Sequence, residues 1–216
     1  QKSIVEIKEH FQDKSTVLLH GVTGSGKTEV YIKLIQEKLT KGKQILYLLP
    51  EIALTTQIIT RIRKKFGDKV GIYHSKFNAN ERVEVWNELL KNENSRFQIV
   101  VGARSAVFLP FSDLGLIIVD EEHDSSYKQS EPSPRYNGRD SAIYLAALHG
   151  CKVLLGSATP SVESYWNAKN CKYGLVILSE RYGGIKMKED RDIEKDYSTY
   201  RFYKAGVYNP QFLSNP

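Results

Sequence analysis

Residues 21–28, GVTGSGKT, have the residue types and the spacing of a loop that binds nucleotide phosphates. The glycines let the backbone turn tightly, so that its N–H groups point at phosphate oxygens. Lys27 is predicted to bind the β- and γ-phosphates, and the Thr28 hydroxyl is predicted to bind Mg²⁺. A glycine-rich turn that matches by chance is the alternative, which the order of strand, loop and helix disfavours. The predicted nucleotide-binding residues are Gly21, Val22, Thr23, Gly24, Ser25, Gly26, Lys27 and Thr28.

A cluster of acidic residues and a histidine directly follows an apolar segment, where residues 116–123 read LIIVDEEH. The carboxyl ends of strands line the ligand crevice of an α/β sheet, so these acids should lie near the phosphate loop. Asp120 is predicted to hold Mg²⁺ through water. Glu121 is predicted to be the catalytic base that polarises the attacking water, with Lys27 as the second catalytic residue. A solvated acidic turn is the alternative, and the complete phosphate loop upstream disfavours it.

The segments that would position these residues alternate between short apolar strands and amphipathic helices. Strands are predicted at residues 16–20, 44–49, 70–74, 97–101, 116–120 and 152–155, and helices at 27–40, 54–66, 80–91, 139–149 and 161–168. Strands rich in Val, Ile and Leu between helices predict a mostly parallel sheet with helices on both faces. The fold class is therefore α/β and doubly wound. Trp86 is predicted to pack in the core.

The composition is compatible with a globular protein that binds a polyanion. A chain of 216 residues can bury a core without disulfides or metals, and a net charge of +6 suits a nucleic-acid partner without proving one. Cys151 and Cys171 lack C-x-x-C spacing, so free thiols in a reducing cytoplasm are predicted. Neither a bilayer-spanning run nor a signal peptide is found. The chain begins without Met, which is typical of a piece of a longer protein.

The acidic segment and the string GSATP at residues 156–160 resemble superfamily 2 helicases and translocases, which carry a D-E-x-H box. The resemblance implies a RecA-like P-loop NTPase lobe that uses ATP and Mg²⁺. It also implies that His123, Ser157 and Thr159 couple hydrolysis to movement of the lobes. Residues 156–160 can also be an ordinary turn into a helix, with Thr159 as the N-cap and Pro160 at the first helical position, and the two interpretations are compatible.

Longer strings resemble the PriA family of primosomal replication-restart helicases over residues 1–182. They are LLPEIALTTQ at 48–57, GARSAVFLPF at 102–111 and IIVDEEHDSSYKQ at 117–129, followed by RY at 135–136 and RD at 139–140. The resemblance implies the ATP-binding lobe of a 3′-to-5′ DNA helicase that restarts replication at stalled forks. Implied partners are single-stranded and forked DNA, other primosome proteins and single-stranded DNA-binding protein. Zinc is expected in full-length members, with no site in this chain.

Several of these strings should form a DNA track at the edge of the sheet that carries the nucleotide site. The DNA-binding candidates are Ala53, Thr55, Arg104, Ser105, Tyr127, Lys128, Arg135 and Tyr136. Amides, hydroxyls and cations would hold phosphates, and a tyrosine ring would stack on bases. Alternatively, Tyr127 and Tyr136 only pack their loop onto the domain, and Arg104 is a surface cation. By its spacing, Gln1 is an ambiguous candidate for the family's adenine-reading glutamine.

The family's arginine fingers belong to a second lobe that this chain lacks, so the chain alone is expected to bind ATP weakly and to hydrolyse it slowly. Residues 183–216 are charged, with interspersed tyrosines, and are predicted to be a poorly ordered linker or the start of a following region. Two rival functions are another double-stranded DNA translocase and a non-catalytic, nucleotide-switched binding module. The intact catalytic acid, Glu121, disfavours the second rival.

Overall fold

A seven-stranded parallel sheet organises the chain, and its strands lie in the order β3-β4-β2-β5-β6-β1-β7. The structure is a computed structural model that describes residues 2–51, 56–74, 78–91 and 94–179. The strands are β1 Thr16–Gly21, β2 Gln44–Leu48, β3 Val70–Tyr73, β4 Ile99–Gly102, β5 Leu114–Asp120, β6 Lys152–Ser157 and β7 Gly174–Leu178. The helices are α1 Lys2–Asp13, α2 Lys27–Leu39, α3 Thr56–Phe66, α4 Ala79–Leu90, α5 Gly138–His149 and α6 Val162–Lys169.

The strands are buried on both faces, which explains why they are apolar without alternation. In β1, Val17 and Leu19 face a core that contains residues of α1, α2 and α3. Leu18 faces the opposite core, which contains residues of α4, α5 and α6. All three leucine and valine side chains are fully buried, and burial of each contributes on the order of 1.5–3 kcal/mol. The predicted α/β sheet with helices on both faces is confirmed.

The strand order brings three strand ends together at one edge of the sheet. β6 lies between β5 and β1, and all three strands run parallel. Asp120 is paired with Gly156, and Gly156 is paired with Leu19. Neighbouring strands are about 4.8 Å apart, so the ends of β5 and β1 are separated by only about 10 Å. The carboxyl ends of these strands therefore carry the acidic segment, the 156–160 string and the phosphate loop side by side.

The structure differs from the sequence prediction in two elements and in one side chain. Helix α1 and strand β7 were not predicted, because a short apolar run or one helical stripe is ambiguous without its packing partner. The prediction for Trp86 is wrong, since its side chain is 42% exposed on α4. Gln1, Ala53, Thr55 and residues 180–216 lie outside the described residues. No helix in the described part of the chain is long and apolar enough to span a bilayer.

The packing of α1 onto the sheet gives a stability prediction. Ile7 is fully buried in the core that contains α1, whereas Val5 on the same helix is 56% exposed. Ile7→Ala should lower the free energy of unfolding by about 2–5 kcal/mol, because it removes buried methyl groups and leaves a cavity. Val5→Ala is the control and should change the free energy by less than about 0.5 kcal/mol. Urea unfolding measures both values, and equal effects would mean that α1 does not pack as described.

Candidate active site

The phosphate loop joins the buried end of β1 to the start of α2. Gly24 and Gly26 have φ angles of +80° and +90°, a left-handed conformation that residues with a side chain adopt at a cost. The Ser25 hydroxyl oxygen is buried and has no hydrogen-bond partner among the described residues. A loop with left-handed glycines, an unpaired buried hydroxyl and a following helix N-terminus fits a bound phosphate group. Thr28, the predicted magnesium ligand, is partly buried in the first turn of α2.

Lys27 links the phosphate loop to the acidic end of β5. Its side chain is 9% exposed, and its Nζ donates a hydrogen bond of 2.8 Å to the Gly21 carbonyl. The same Nζ lies 3.5 Å from Oε1 of Glu121. The two predicted catalytic side chains therefore form a direct ion pair beside the phosphate loop. A phosphate group placed there would meet the ammonium group, which is a stronger donor than a neutral one.

Asp120 ends β5 with its carboxylate turned into the domain, where three donors bind it. Oδ1 accepts from the Tyr31 hydroxyl at 2.9 Å and from the Glu121 N–H at 3.1 Å, and Oδ2 accepts from the Tyr47 hydroxyl at 3.1 Å. Burial raises the pKa of Asp120, while the Tyr31 hydrogen bond and the Lys27 charge oppose that rise. Burial, together with the charge of Asp120, also raises the pKa of both tyrosines well above the ordinary value. The phenols therefore remain neutral donors.

Glu121 occupies an unusual backbone conformation for a residue with a side chain, because its φ angle is +46°. Such a conformation costs on the order of 1–3 kcal/mol and persists where the surroundings enforce it. Here the Asp124 N–H donates to the Glu121 carbonyl at 2.9 Å and closes a turn directly after β5. The turn leaves the Glu121 carboxylate one-third exposed beside Lys27. This position suits a group that must reach a water molecule next to a bound phosphate.

The three predicted coupling residues lie in direct contact. Nδ1 of His123 is 2.7 Å from the Ser157 hydroxyl, and its Nε2 is 3.2 Å from the Thr159 hydroxyl. Oε2 of Glu121 is 3.7 Å from Nδ1 of the same ring. The alternative that Thr159 caps the next helix is wrong, because Ser161 is the N-cap of α6 and accepts from the Ser164 N–H. His123 thus connects the end of β5 with the turn that follows β6.

The loop after the acidic segment folds back against that segment, and this decides between the alternatives for Tyr127. Its ring is 1% exposed, and its hydroxyl donates to the Asp120 main-chain carbonyl at 2.7 Å. The ring therefore offers no face to a nucleic-acid base in this structure. Tyr127 therefore packs its loop onto the domain. The chain forms a short 3₁₀ helix at Ser125–Tyr127, which turns the ring inward.

The other DNA candidates within the described residues lie nearer the surface. Arg104 begins a 3₁₀ helix and donates from Nη1 to the Ser126 carbonyl at 2.8 Å, and Ser105 beside it is partly buried. The half-buried Tyr136 ring packs edge-on against Phe108, with ring centres 4.9 Å apart. Burial raises the pKa of Tyr136, and the neighbouring Arg104 charge opposes the rise. Lys128 and Arg135 are exposed.

Comparison with known proteins places this chain in a family. Residues 1–166 match the DEAD/DEAH box helicases. The chain belongs to the DEAD/DEAH box helicase family. Membership implies the use of ATP and Mg²⁺, to which the donor set of the phosphate loop and of Asp120 corresponds.

Two relatives of this DEAD/DEAH box domain resemble it over most of its length. The replication restart protein PriA of Bacillus subtilis is 48% identical over 172 residues, which are 80% of this chain and 21% of that protein. The replication restart protein PriA of Haemophilus influenzae is 50% identical over 166 residues, which are 77% of this chain and 22% of that protein. The chain spans about a fifth of the length of these relatives.

A solved structure supports the fold assignment. The DUF1998 helicase MrfA superposes with a TM-score of 0.57 at 19% sequence identity, over 96% of this chain and 34% of that chain. At this identity the likeness concerns the fold alone. The family prediction from the sequence and the RecA-like fold are both confirmed.

The helicase domain also contains a buried ion pair that the sequence analysis did not single out as functional. Glu122 is 2% exposed and accepts from Nη1 of Arg139 at 3.0 Å, from the Ser161 N–H at 2.7 Å and from the Ser164 hydroxyl at 2.8 Å. The pair joins the acidic segment to the starts of α5 and α6. The sequence offers one signal for this pair, namely an arginine at the start of a helix 17 residues after an acid at a strand end. Local spacing cannot distinguish such an arginine from one on the surface.

This network predicts a large loss of stability when one partner is removed. Arg139→Met should lower the free energy of unfolding by about 3–5 kcal/mol, because it leaves the buried Glu122 carboxylate without its countercharge. Asp140→Asn is the matched control, since Asp140 binds the same guanidinium but is 60% exposed. Its effect should stay below about 1 kcal/mol. Chemical unfolding distinguishes the two, and a small effect of Arg139→Met would show that the buried Glu122 does not depend on this ion pair.

Proposed function

We propose that this chain is the ATP-binding lobe of an ATP-dependent DNA helicase that acts in replication restart. One observation carries the enzymatic part of the proposal, namely the 3.5 Å approach of Lys27 in the phosphate loop to Glu121 at the end of β5. The similarity to PriA proteins supports the DNA substrate and the restart role. The 3′-to-5′ direction, forked DNA, the primosome partners, single-stranded DNA-binding protein, zinc in the whole protein and a cytoplasmic location rest on that family resemblance.

The proposed reaction is in-line attack of water on the γ-phosphate of ATP. The amides of the phosphate loop and the Lys27 ammonium would bind the phosphates, and Thr28 and Asp120 would hold the metal ion. When bound, Mg²⁺ neutralises charge that develops on the phosphate oxygens. Glu121 accepts the proton of the attacking water, and its partly exposed carboxylate allows a water molecule to approach. His123, Ser157 and Thr159 pass the state of this site to the turn after β6.

We further propose that single-stranded DNA lies along the surface formed by the 3₁₀ helix at Arg104–Phe108 and by residues 128–136. Arg104, Lys128 and Arg135 supply positive charge, Ser105 supplies a hydroxyl group, and Tyr136 offers a partly exposed ring. Tyr127 supports this surface from beneath through its bond to Asp120. Contacts by Ala53 and Thr55 remain part of the proposal and lie outside the described residues.

The role of Glu121 is tested by Glu121→Gln in the full-length protein that contains this chain. The amide keeps the shape of the side chain but accepts no proton, so steady-state ATPase activity with single-stranded DNA should fall by about 10²-fold or more. ATP binding, measured by titration, should be retained. Glu37→Gln, on the exposed side of α2, is the control and should leave the rate unchanged. ATP hydrolysis at the normal rate by Glu121→Gln would refute the assigned role. Absence of hydrolysis in the unmodified protein would favour the nucleotide-switched binding module.

The proposed DNA surface is tested through the salt dependence of binding to single-stranded DNA. If Arg104 contacts a phosphate, Arg104→Ala should reduce the slope of log K against log salt by about 0.7. Arg104→Lys keeps the charge and should keep the slope, although it loses the planar donor that holds the Ser126 carbonyl. Arg82→Ala, on the exposed face of α4, is the control. An unchanged slope for Arg104→Ala would leave Arg104 only its role in anchoring the loop.

A further inference from the structure

Two buried tyrosines from different elements bind the two carboxylate oxygens of Asp120. Tyr31, on α2, donates to Oδ1 at 2.9 Å, and Tyr47, on β2, donates to Oδ2 at 3.1 Å. Both side chains are fully buried. Their rings meet edge-on, with centres 5.7 Å apart and planes inclined by 68°. The carboxylate is therefore held from two directions by groups that cannot swing into solvent without opening the core.

Counting the hydrogen bonds shows which part of the carboxylate remains available. A carboxylate oxygen has two lone-pair sites, so Asp120 offers four. Oδ1 accepts from the Tyr31 hydroxyl and from the Glu121 N–H, and both of its sites are used. Oδ2 accepts from the Tyr47 hydroxyl and keeps one site. A metal ion, or water bound to it, thus finds its free lone pair on Oδ2.

The space for this arrangement depends on Gly156 in the neighbouring strand β6. Asp120 and Gly156 are paired in the sheet. A Cβ atom at position 156 would lie 1.8 Å from the Tyr31 hydroxyl oxygen and 3.4 Å from Oδ1 of Asp120. The Tyr31 hydroxyl therefore occupies the space that any other residue at position 156 would fill with its side chain. Helix α2 and strands β2, β5 and β6 all contribute to the orientation of one carboxylate.

We propose that Tyr31 and Tyr47 are positioning residues for the metal ligand Asp120, which they orient so that Oδ2 faces the metal ion. The inference rests on the proposed function, because it assigns the carboxylate to Mg²⁺ that accompanies ATP. If the rings only filled the core, phenylalanine would replace both tyrosines without an effect on the metal. A positioning role instead requires the hydroxyl groups, since a carboxylate free to rotate binds a metal ion less tightly.

The test compares Tyr31→Phe, Tyr47→Phe and the double variant in the full-length protein, because phenylalanine keeps the ring packing and removes only the hydroxyl. Mg²⁺ is titrated against protein saturated with ADP, and Mn²⁺ binding is followed in parallel by electron paramagnetic resonance. Nucleotide affinity is measured separately in EDTA. Tyr165→Phe is the matched control, since Tyr165 is also buried but belongs to the core on the opposite face of the sheet.

We expect the double variant to bind Mg²⁺ and Mn²⁺ about 10–100-fold more weakly, as for the loss of partners that orient a metal ligand. Nucleotide affinity in EDTA should match that of the unmodified protein. The Mg²⁺ concentration that half-saturates ATP hydrolysis should rise, with a much smaller change in kcat at saturating Mg²⁺. Tyr165→Phe should change none of these quantities.

Metal affinity within about twofold of the unmodified protein in the double variant, or in both single variants where the double variant does not fold, would overturn the proposal. A fall in metal affinity that is matched by an equal fall in nucleotide affinity in EDTA would also overturn it, because the tyrosines would then support the whole site. The single variants decide if the double variant does not fold. Failure of the proposed function has a different signature, since the unmodified protein would then show no metal-dependent nucleotide binding.

Discussion

A partly buried carboxylate at the end of a central strand is the constraint on which this site depends. Asp120 must keep its charge to bind a cation, yet burial favours its neutral form. Hydrogen bonds from Tyr31 and Tyr47 oppose this rise in the pKa of Asp120, and the Glu121 N–H binds the same carboxylate. Each donor restricts another part of the fold: α2 must carry a tyrosine one turn after Lys27, and β6 must carry glycine opposite Asp120. The same buried residues therefore pack the core and orient the Asp120 carboxylate.

The parallel sheet places opposite charges at its carboxyl edge. Because β6 alone separates β1 from β5, the Lys27 ammonium lies within 3.5 Å of the Glu121 carboxylate. Glu121 makes this approach from a left-handed backbone conformation directly after β5. A bound phosphate group would compete with Glu121 for Lys27. At the proposed nucleotide site, a bound phosphate would therefore have to replace this ion pair.

The surface proposed for DNA is connected to the nucleotide site through short hydrogen bonds. Tyr127 holds the Asp120 main-chain carbonyl, and Arg104 holds the Ser126 carbonyl next to Tyr127. On the other side, the Glu122–Arg139 pair ties the acidic segment to the starts of α5 and α6. Most of these bonds end on the segment 120–123, so the acids share hydrogen-bond partners with the loop and with the starts of α5 and α6.

The sequence by itself determined the family, the α/β fold and the identity of the phosphate loop and the acidic segment. Contiguous residues determine these features, because a strand, a tight glycine turn and a helix start each depend on residues that are adjacent in the sequence. The sequence also predicted the approach of Lys27 to Glu121, since the carboxyl ends of parallel strands share one edge.

Only the tertiary structure decided which residues surround Asp120 and which way the loop tyrosines point. Tyr31 and Tyr47 are 89 and 73 residues from Asp120 in the chain, and Arg139 is 17 residues from Glu122. A tyrosine in an apolar helix or strand has the same local pattern whether its hydroxyl binds an acid or water. The burial of Tyr127, the docking of α1 and β7, and the exposure of Trp86 likewise depend on elements that meet only after the sheet has formed.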